Sequence, residues 1–353
     1  MGQVERLALI KEIESKRGSR VLCYLTGDRR GFETRIAQDV YPFFYEHLTK
    51  FGKIKSIDLF LYSTGGLTIA GWGLVTLIRE FCDKFSVIIP FKAHSTATLI
   101  ALGANEIIMC KPAQLSPVDP SITSPYNPIV PGVQQSGAMN VLPVSVEDVV
   151  AYLSLAKKEA DLKNEEFLAE AFKTLSEKVH PLALGSVFRA REQIKLLAEK
   201  LLYLHMKKTQ KNRVDKIIST LTKELYSHDY IIGRKEAKDI INLKVIDVKT
   251  DLENTIWQLY KEYENMLELN AGFNADAFLG SEQQRTGRFC RAVVESEFIT
   301  DVFVTEKEIK RIQAPQAGIP IPISAVQERV MQESWIRERE VPDVSEHSGS
   351  GDS

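Results

Sequence analysis

The sequence predicts an α/β protein built on a twisted, mostly parallel β-sheet. Three observations carry that expectation. The short apolar runs VLCYL, IDLFL, FSVII and EIIM alternate with segments of helical periodicity. These runs lack the in-and-out alternation of a half-exposed strand, so they read as strands buried on both faces. Turn residues follow the runs and precede the next helix, as right-handed β-α-β crossovers require.

The elements follow in order. Residues 4–16 have helical periodicity, closed by Gly18. VLCYL forms a first strand, ended by Thr26-Gly27-Asp28. Residues 35–50 fit an amphipathic helix that Pro42 should bend or restart. IDLFLYSTGG is a strand running into a glycine turn, and LTIAGWGLVTLIREFCDKF is a helix with a broad apolar face. FSVIIPF, the short helix TATLIALGAN and EIIMC continue the alternation. KPAQLSPVDPS then turns the chain, and residues 123–144, rich in Pro, Gly, Ser and Asn, should form a long loop. Ser145 is a candidate N-cap for a segment that reads as helical to about Leu225. YIIGRKEAKDIINLKVIDV returns to a turn, a short helix and a strand, and CRAVVESEFITDVFVT is β-rich. Three regions are therefore expected: a main domain over 1–250, a helical and β-rich extension over 251–312, and a Pro-rich linker with a disordered tail over 313–353.

Composition excludes some function classes. The 353 residues carry 45 Lys and Arg against 47 Asp and Glu, a formal charge of -2. That balance provides no field for nucleic acid or an anionic membrane. The basic stretch HMKKTQKNR reads as the solvated face of a long helix. Cys23, Cys82, Cys110 and Cys290 are widely spaced, with no C-x-x-C pair. They read as reduced thiols of a cytoplasmic protein. No apolar run approaches the roughly 20 residues that span a bilayer, so no stable membrane insertion is expected. No spacing of His, Cys, Asp and Glu suggests a metal.

Two turns carry candidate chemistry. Ser63-Thr64-Gly65-Gly66 lies where a parallel strand meets a helix, the sheet edge at which such folds hold ligands. Ser95 opens an apolar helix one helix and one strand further on, so the two turns can be neighbours. A serine there either caps the helix or is a nucleophile. In the second reading the N–H groups of Gly65 and Thr96 would hold the oxyanion of a tetrahedral intermediate.

LFLYSTGGLTIAGWGLVTLIREF, FKAHSTATLIALGANEIIM and AQLSPVDPSI together resemble the serine dehydrogenase proteinase family. That family is a branch of the Clp-peptidase, signal-peptide-peptidase and crotonase superfamily. HPLALGSVFRAREQIKLLAEKLL and LYSHDYIIGRKEAKDIINLKV match later blocks, so the resemblance covers roughly residues 5–250. It implies a Clp/crotonase-like fold of repeated ββα-type units with long accessory helices, commonly assembled as a homo-oligomer. It also implies ATP-independent serine peptidase activity on peptide or protein substrates. Ser95 would be the nucleophile, and the Gly65-Gly66 turn with Thr96 the oxyanion hole. Members usually show glycine two residues after the serine, where this chain has Ala97. No G-x-G-x-x-G fingerprint is present, so no nicotinamide cofactor is implied.

The general base stays open at this level. The position of the Clp-type histidine falls near Asp119, in PVDPS, which is either a turn residue or a site carboxylate. No lysine occurs between Lys111 and Lys157, against a signal-peptide-peptidase type of base. His228, in SHDY beside Asp229, is preferred over His180, in VHPLALG. His94 adjoins Ser95, but neighbours on extended chain point to opposite faces. Two other functions compete: a crotonase-like acyl-CoA enzyme using the same hole for an enolate, and a pseudopeptidase serving as an assembly or peptide-binding scaffold.

Overall fold

The computed structural model describes residues 2–118, 121–122, 125–128, 142, 144–158, 164–224, 230–316 and 319–341. The chain divides into two compact units, Met1–Gln114 with Lys244–Ser353, and Leu115–Leu243.

In the first unit, α1 (Gln3–Arg17) ends at Gly18, whose φ of 63° lets its N–H close on Glu14 O at 2.8 Å. This left-handed stop delivers the chain into β1 (Arg20–Thr26). The helix expected over 35–50 starts later: α2 spans Tyr41–Phe51, with Pro42 in its first turn. Proline suits that place, because a first-turn N–H has no helical acceptor to lose. The chain before it is irregular, and Ile36 makes a β-bridge to Gly66. Next come β2 (Ile54–Tyr62), α3 (Thr68–Phe81), β3 (Cys82–Ile89), β4 (Lys92–Ala93), α4 (Thr96–Leu102), β5 (Glu106–Met109) and β6 (Gln114–Leu115).

In the second unit, β7 (Ser121–Ile122) pairs antiparallel with β8 (Val144–Ser145). Ser145 Oγ accepts the Asp148 N–H at 3.2 Å as α5 (Val146–Lys158) begins. The loop expected over 123–144 falls mostly outside the described residues. α6 (Glu165–Lys178), α7 (Pro181–Tyr203) and α8 (Lys211–Ser219) follow, then β9 (Ile232–Gly233) and α9 (Arg234–Asp239). Val187, Ile194, Leu197 and Leu201 of α7 are buried, as are Val214 and Ile217 of α8.

The chain then re-enters the first unit as β10 (Val245–Ile246), α10 (Thr250–Met266), α11 (Ala275–Leu279), β11 (Gln284–Glu295), β12 (Ile299–Gln316) and β13 (Ile319–Glu340). One eight-stranded sheet runs β10-β5-β3-β2-β1-β11-β12-β13. It is parallel from β10 to β1 and antiparallel from β1 to β13. The fold is thus mixed α/β on a mostly parallel sheet. Residues 21–26, 57–62 and 85–89 are buried throughout, as their continuous apolar character requires.

Two expectations about the last third are corrected. Residues 251–312 are not an appendage: β11 pairs with β1 from Cys23↔Glu295 to Thr26↔Ala292, inside the main sheet. Residues 319–340 are not a linker but the outermost strand. The tail from 342 onward lies outside the described residues.

α1 and α10 cover one face of the sheet. Tyr263 meets Phe60 at 6.0 Å between ring centroids, and Tyr260 meets Tyr62 at 5.5 Å. On the other face Phe44 of α2 meets Tyr24 of β1 edge-on at 5.2 Å. The fully buried Glu295 carboxylate fastens β11 to the helices. It accepts from Arg6 at 2.7 and 3.0 Å, Tyr263 Oη at 2.7 Å and Thr300 Oγ1 at 2.9 Å. A second buried cluster holds α2: His47 Nδ1 meets Ser296 Oγ at 2.8 Å and Nε2 meets Asp301 Oδ2 at 3.2 Å. Burial holds the His47 imidazole below its ordinary pKa, against the pull of Asp301.

No disulfide joins the four cysteines, and three of them are buried. Among the described residues, no helix is long and apolar enough to cross a membrane. Nor is any group of three or more His, Cys, Asp or Glu placed to hold a metal ion.

Candidate active site

The site grows from two strand-to-helix turns at the carboxyl end of the parallel strands. β2 ends in Ser63-Thr64-Gly65-Gly66, and β4 ends in His94-Ser95. A parallel bridge between Ser63 and Ala93 locks the turns side by side. Its bonds are Ser63 N–H to Lys92 O at 3.0 Å and His94 N–H to Ser63 O at 2.9 Å.

Ser95 adopts φ 51° and ψ −114°, in a region that L-residues rarely occupy. Such strain costs about 1–3 kcal/mol and persists only where its surroundings enforce it. The surroundings are specific. Ala97 N–H closes on His94 O at 2.9 Å, and Leu99 N–H closes on Ser95 O at 3.1 Å. Ser95 occupies the N-cap position, yet its side chain makes no capping hydrogen bond. The cap reading of this residue is therefore set aside. The Ala97 methyl group is fully buried within α4.

Gly65 presses directly on the serine. A Cβ at Gly65 would lie 2.8 Å from Ser95 Cβ and 3.3 Å from its Oγ, and its φ of 116° suits glycine alone. Its N–H, however, donates to Ser63 Oγ at 2.9 Å, and Thr26 Oγ1 donates to the same oxygen at 2.7 Å. The Gly65 N–H, expected to face an oxyanion, is instead taken by the Ser63 hydroxyl, two residues back in the same turn.

The neighbouring Gly66 amide is placed differently. Ile36 N–H donates to Gly65 O at 2.9 Å, and Leu67 N–H donates to Ile36 O at 2.8 Å. In a parallel bridge this pattern turns the intervening Gly66 N–H away from Ile36. Thr96 Oγ1 donates to Gly66 O at 2.7 Å, drawing the glycine turn towards the start of α4. Among the described residues neither the Gly66 nor the Thr96 N–H has an acceptor. The Thr96 peptide follows the strained serine directly, and Gly66 follows Gly65, which packs against the Ser95 Cβ. This is the arrangement that can stabilise negative charge developing on a carbonyl oxygen attacked by Ser95 Oγ.

The candidate bases fare differently. Asp119 and His228 lie outside the described residues, as does Asp229. His180, in the second unit, is exposed. It stacks on Tyr126 at 4.9 Å, and its Nδ1 accepts the Leu182 N–H at 3.2 Å, capping α7. Lys92, three residues before the serine, is committed elsewhere: its Nζ bonds Asp28 Oδ2 at 2.7 Å. Tyr62 donates to the other oxygen of Asp28 at 2.7 Å, and burial with that carboxylate pushes its phenol well above the ordinary tyrosine pKa.

Sequence reasoning missed Thr26, Ser63 as a hydrogen-bond partner, and Ile36. STGG pointed to Ser63, but no local pattern links it to Thr26 on the preceding strand. Ile36 was hidden inside a predicted helix.

The model of a family described as ClpP-like SDH-type serine proteinase matches residues 1–180. An uncharacterized protein of Methanocaldococcus jannaschii is 27% identical over 268 residues, covering 74% of this chain and 77% of the relative. A second uncharacterized protein of that organism is 26% identical over 271 residues, covering 74% and 79%. Among solved structures, a mutant of the 1510-N membrane-bound stomatin-specific protease aligns at 14% identity and a TM-score of 0.36. It covers 65% of this chain and 79% of that one. The ClpP protease catalytic domain from Plasmodium falciparum aligns at 13% identity and a TM-score of 0.33, covering 70% and 93%.

Proposed function

Because the chain belongs to the ClpP-like SDH-type serine proteinase family, we propose that it is a serine peptidase whose nucleophile is Ser95. Ser95 Oγ attacks a peptide carbonyl, forming the C–O bond while its proton passes to a base. The carbonyl oxygen becomes an oxyanion held by the Gly66 and Thr96 N–H groups. Collapse breaks the C–N bond, the base returns its proton to the leaving amine, and water then hydrolyses the acyl ester. Each backbone donor of this kind contributes about 3 kcal/mol of transition-state stabilisation.

The observation that carries the proposal is the Ser95 backbone, at φ 51° and ψ −114° beside Gly65. A serine needed only as a cap would sit in ordinary extended geometry and bond the first turn. Strain of this sort at a strand-to-helix elbow exposes a nucleophile. His228 is proposed as the base, on the sequence reading alone, and a homo-oligomer is proposed on the same footing. The related M. jannaschii proteins are themselves uncharacterized, so they add no substrate.

The test is covalent labelling. A fluorophosphonate probe should modify the wild-type protein at Ser95, and Ser95→Ala should abolish the adduct. A folded wild-type protein that stays unlabelled would sink the nucleophile and leave the scaffold reading in its place. His228→Ala should slow labelling far more than His180→Ala, whose cap can be lost without touching the serine.

A further inference from the structure

We propose that Arg291, on β11, is a positioning residue for the oxyanion turn, and that the C-terminal strands thereby set the reactivity of Ser95. This rests on the serine-nucleophile reading above, but it concerns a residue far outside the segment that the family model matches.

The inference starts from a defect in the sheet. β11 and β12 pair regularly until Cys290↔Val304, and the next pair is Ala292↔Phe303. Arg291 is therefore the extra residue of a β-bulge. Bulges occur where a strand must re-aim a side chain or a peptide, often beside an active site. Here both are re-aimed at the same target, the loop that links β1 to α2.

The peptide acts on one end of that loop. Arg291 O accepts the Gly27 N–H at 2.7 Å, and Gly27 O accepts the Thr34 N–H at 2.9 Å. A Cβ at Gly27 would lie 3.0 Å from Arg291 O, so the approach is close. The guanidinium acts on the other end. Nε donates to Phe32 O at 3.2 Å, and Nη2 donates to Glu33 O. Nη1 is held from behind by Thr305 Oγ1 at 3.0 Å and Glu333 Oε1 at 2.5 Å, on β12 and β13. Carbonyl acceptors at 32 and 33 then fix where Ile36 falls, three residues on. Ile36 grips Gly65 O and Leu67 N–H and so orients the Gly66 amide.

The chain of contacts is short and rigid: sheet bulge, arginine fork, loop, Ile36, Gly66. Only arginine supplies donors in a planar fork that reaches two successive carbonyls and two further acceptors behind them. Losing the fork removes the ties at Phe32 and Glu33, the part of the loop nearest Ile36, while Gly27, Arg29 and Arg30 stay held by other bonds, and the Ile36–Gly66 bridge is freer to shift. A displacement on the order of 1 Å at a reacting centre can cost about 100-fold in rate.

The experiment compares the rate of fluorophosphonate labelling at Ser95 in the full-length wild type, Arg291→Ala, Arg291→Lys and Arg337→Ala. Arg337 anchors β13 to Asp301 at 2.9 Å on the α2 side, so its loss loosens the same strands without touching the loop. Arg291→Ala should slow labelling by about 10- to 100-fold. Arg291→Lys should recover part of the rate, and Arg337→Ala should label as fast as wild type despite a lower melting temperature. Hydrogen exchange at the Leu67 amide should accelerate in Arg291→Ala and stay unchanged in Arg337→Ala. Arg291→Ala labelling within twofold of wild type, or an equal slowing in both alanine variants, overturns the proposal. A wild type that never labels removes the nucleophile on which the proposal stands, and the exchange rates then report separately whether Arg291 holds the turn.

Discussion

Alanine at Gly66 tests the oxyanion turn most directly. The added Cβ would stand 2.1 Å from Ile36 O and 2.5 Å from Ile36 N, both backbone atoms. Even a tight contact needs about 3 Å, so one side must move by about 1 Å in an interior with few voids to absorb it. The bonds from Ile36 N–H to Gly65 O and from Leu67 N–H to Ile36 O, 2.9 and 2.8 Å, flank the clash. One of them must break. Overpacking of this kind costs about 1–3 kcal/mol and a lost hydrogen bond about 1 kcal/mol more. The melting temperature should therefore fall by several degrees while the fold survives. Reactivity should suffer more: a 1 Å misplacement of the Gly66 N–H costs about 100-fold, or about 2.7 kcal/mol in the barrier. Thermal melts and labelling rates at Ser95, taken on the same preparation, measure both. If folded Gly66→Ala labels at the wild-type rate, the N–H of residue 66 does not hold the oxyanion, and the assignment of the hole is refuted.

Two further outcomes concern the C-terminal strands. Glu295→Ala removes the acceptor of Arg6, Tyr263 and Thr300 from a fully buried site. It should destabilise the protein by about 3–5 kcal/mol in denaturant melts, because an uncompensated buried guanidinium remains; a loss below about 1 kcal/mol would contradict the network. His47 is buried with its pKa depressed, so the unfolded chain binds a proton that the folded one resists. Stability should thus be full above the ordinary histidine pKa and fall as pH drops below about 6.5, by at most about 1.4 kcal/mol per pH unit. Chemical melts of wild type and His47→Gln between pH 7.5 and 5 measure this, and the variant should show the shallower dependence.

The parallel sheet was legible because burial on both faces leaves a simple mark: a strand such as Val21 to Leu25 has no reason to alternate. The placement of Ser95 after β4 was legible for a similar reason, since a polar residue opening an apolar helix at a strand end is conspicuous. What stayed hidden depended on partners distant in sequence. Nothing local to VLCYL names CRAVVE as its neighbour. Nothing in APQAGIPIPI separates an edge strand from a linker, because prolines suit both. Gly65 and Gly66 were indistinguishable until the Ser63 hydroxyl was seen to occupy one amide and leave the other. The bulge at Arg291 has no sequence mark, because one residue too many shows only against the opposing strand.

The insertion of Leu115–Leu243 between the two halves of the first unit bears on how the protein is made. A chain emerging from the ribosome at about 5–20 residues per second exposes Ser95 early. The strand that completes β1 and braces the loop beside Gly66 appears only at Gln284–Glu295. Until then β1 is an open edge, and the loop that holds Ile36 against the glycine turn lacks its anchor. If Ser95 is the nucleophile proposed above, the order of synthesis leaves a half-made chain with the serine but without the strand that braces its turn.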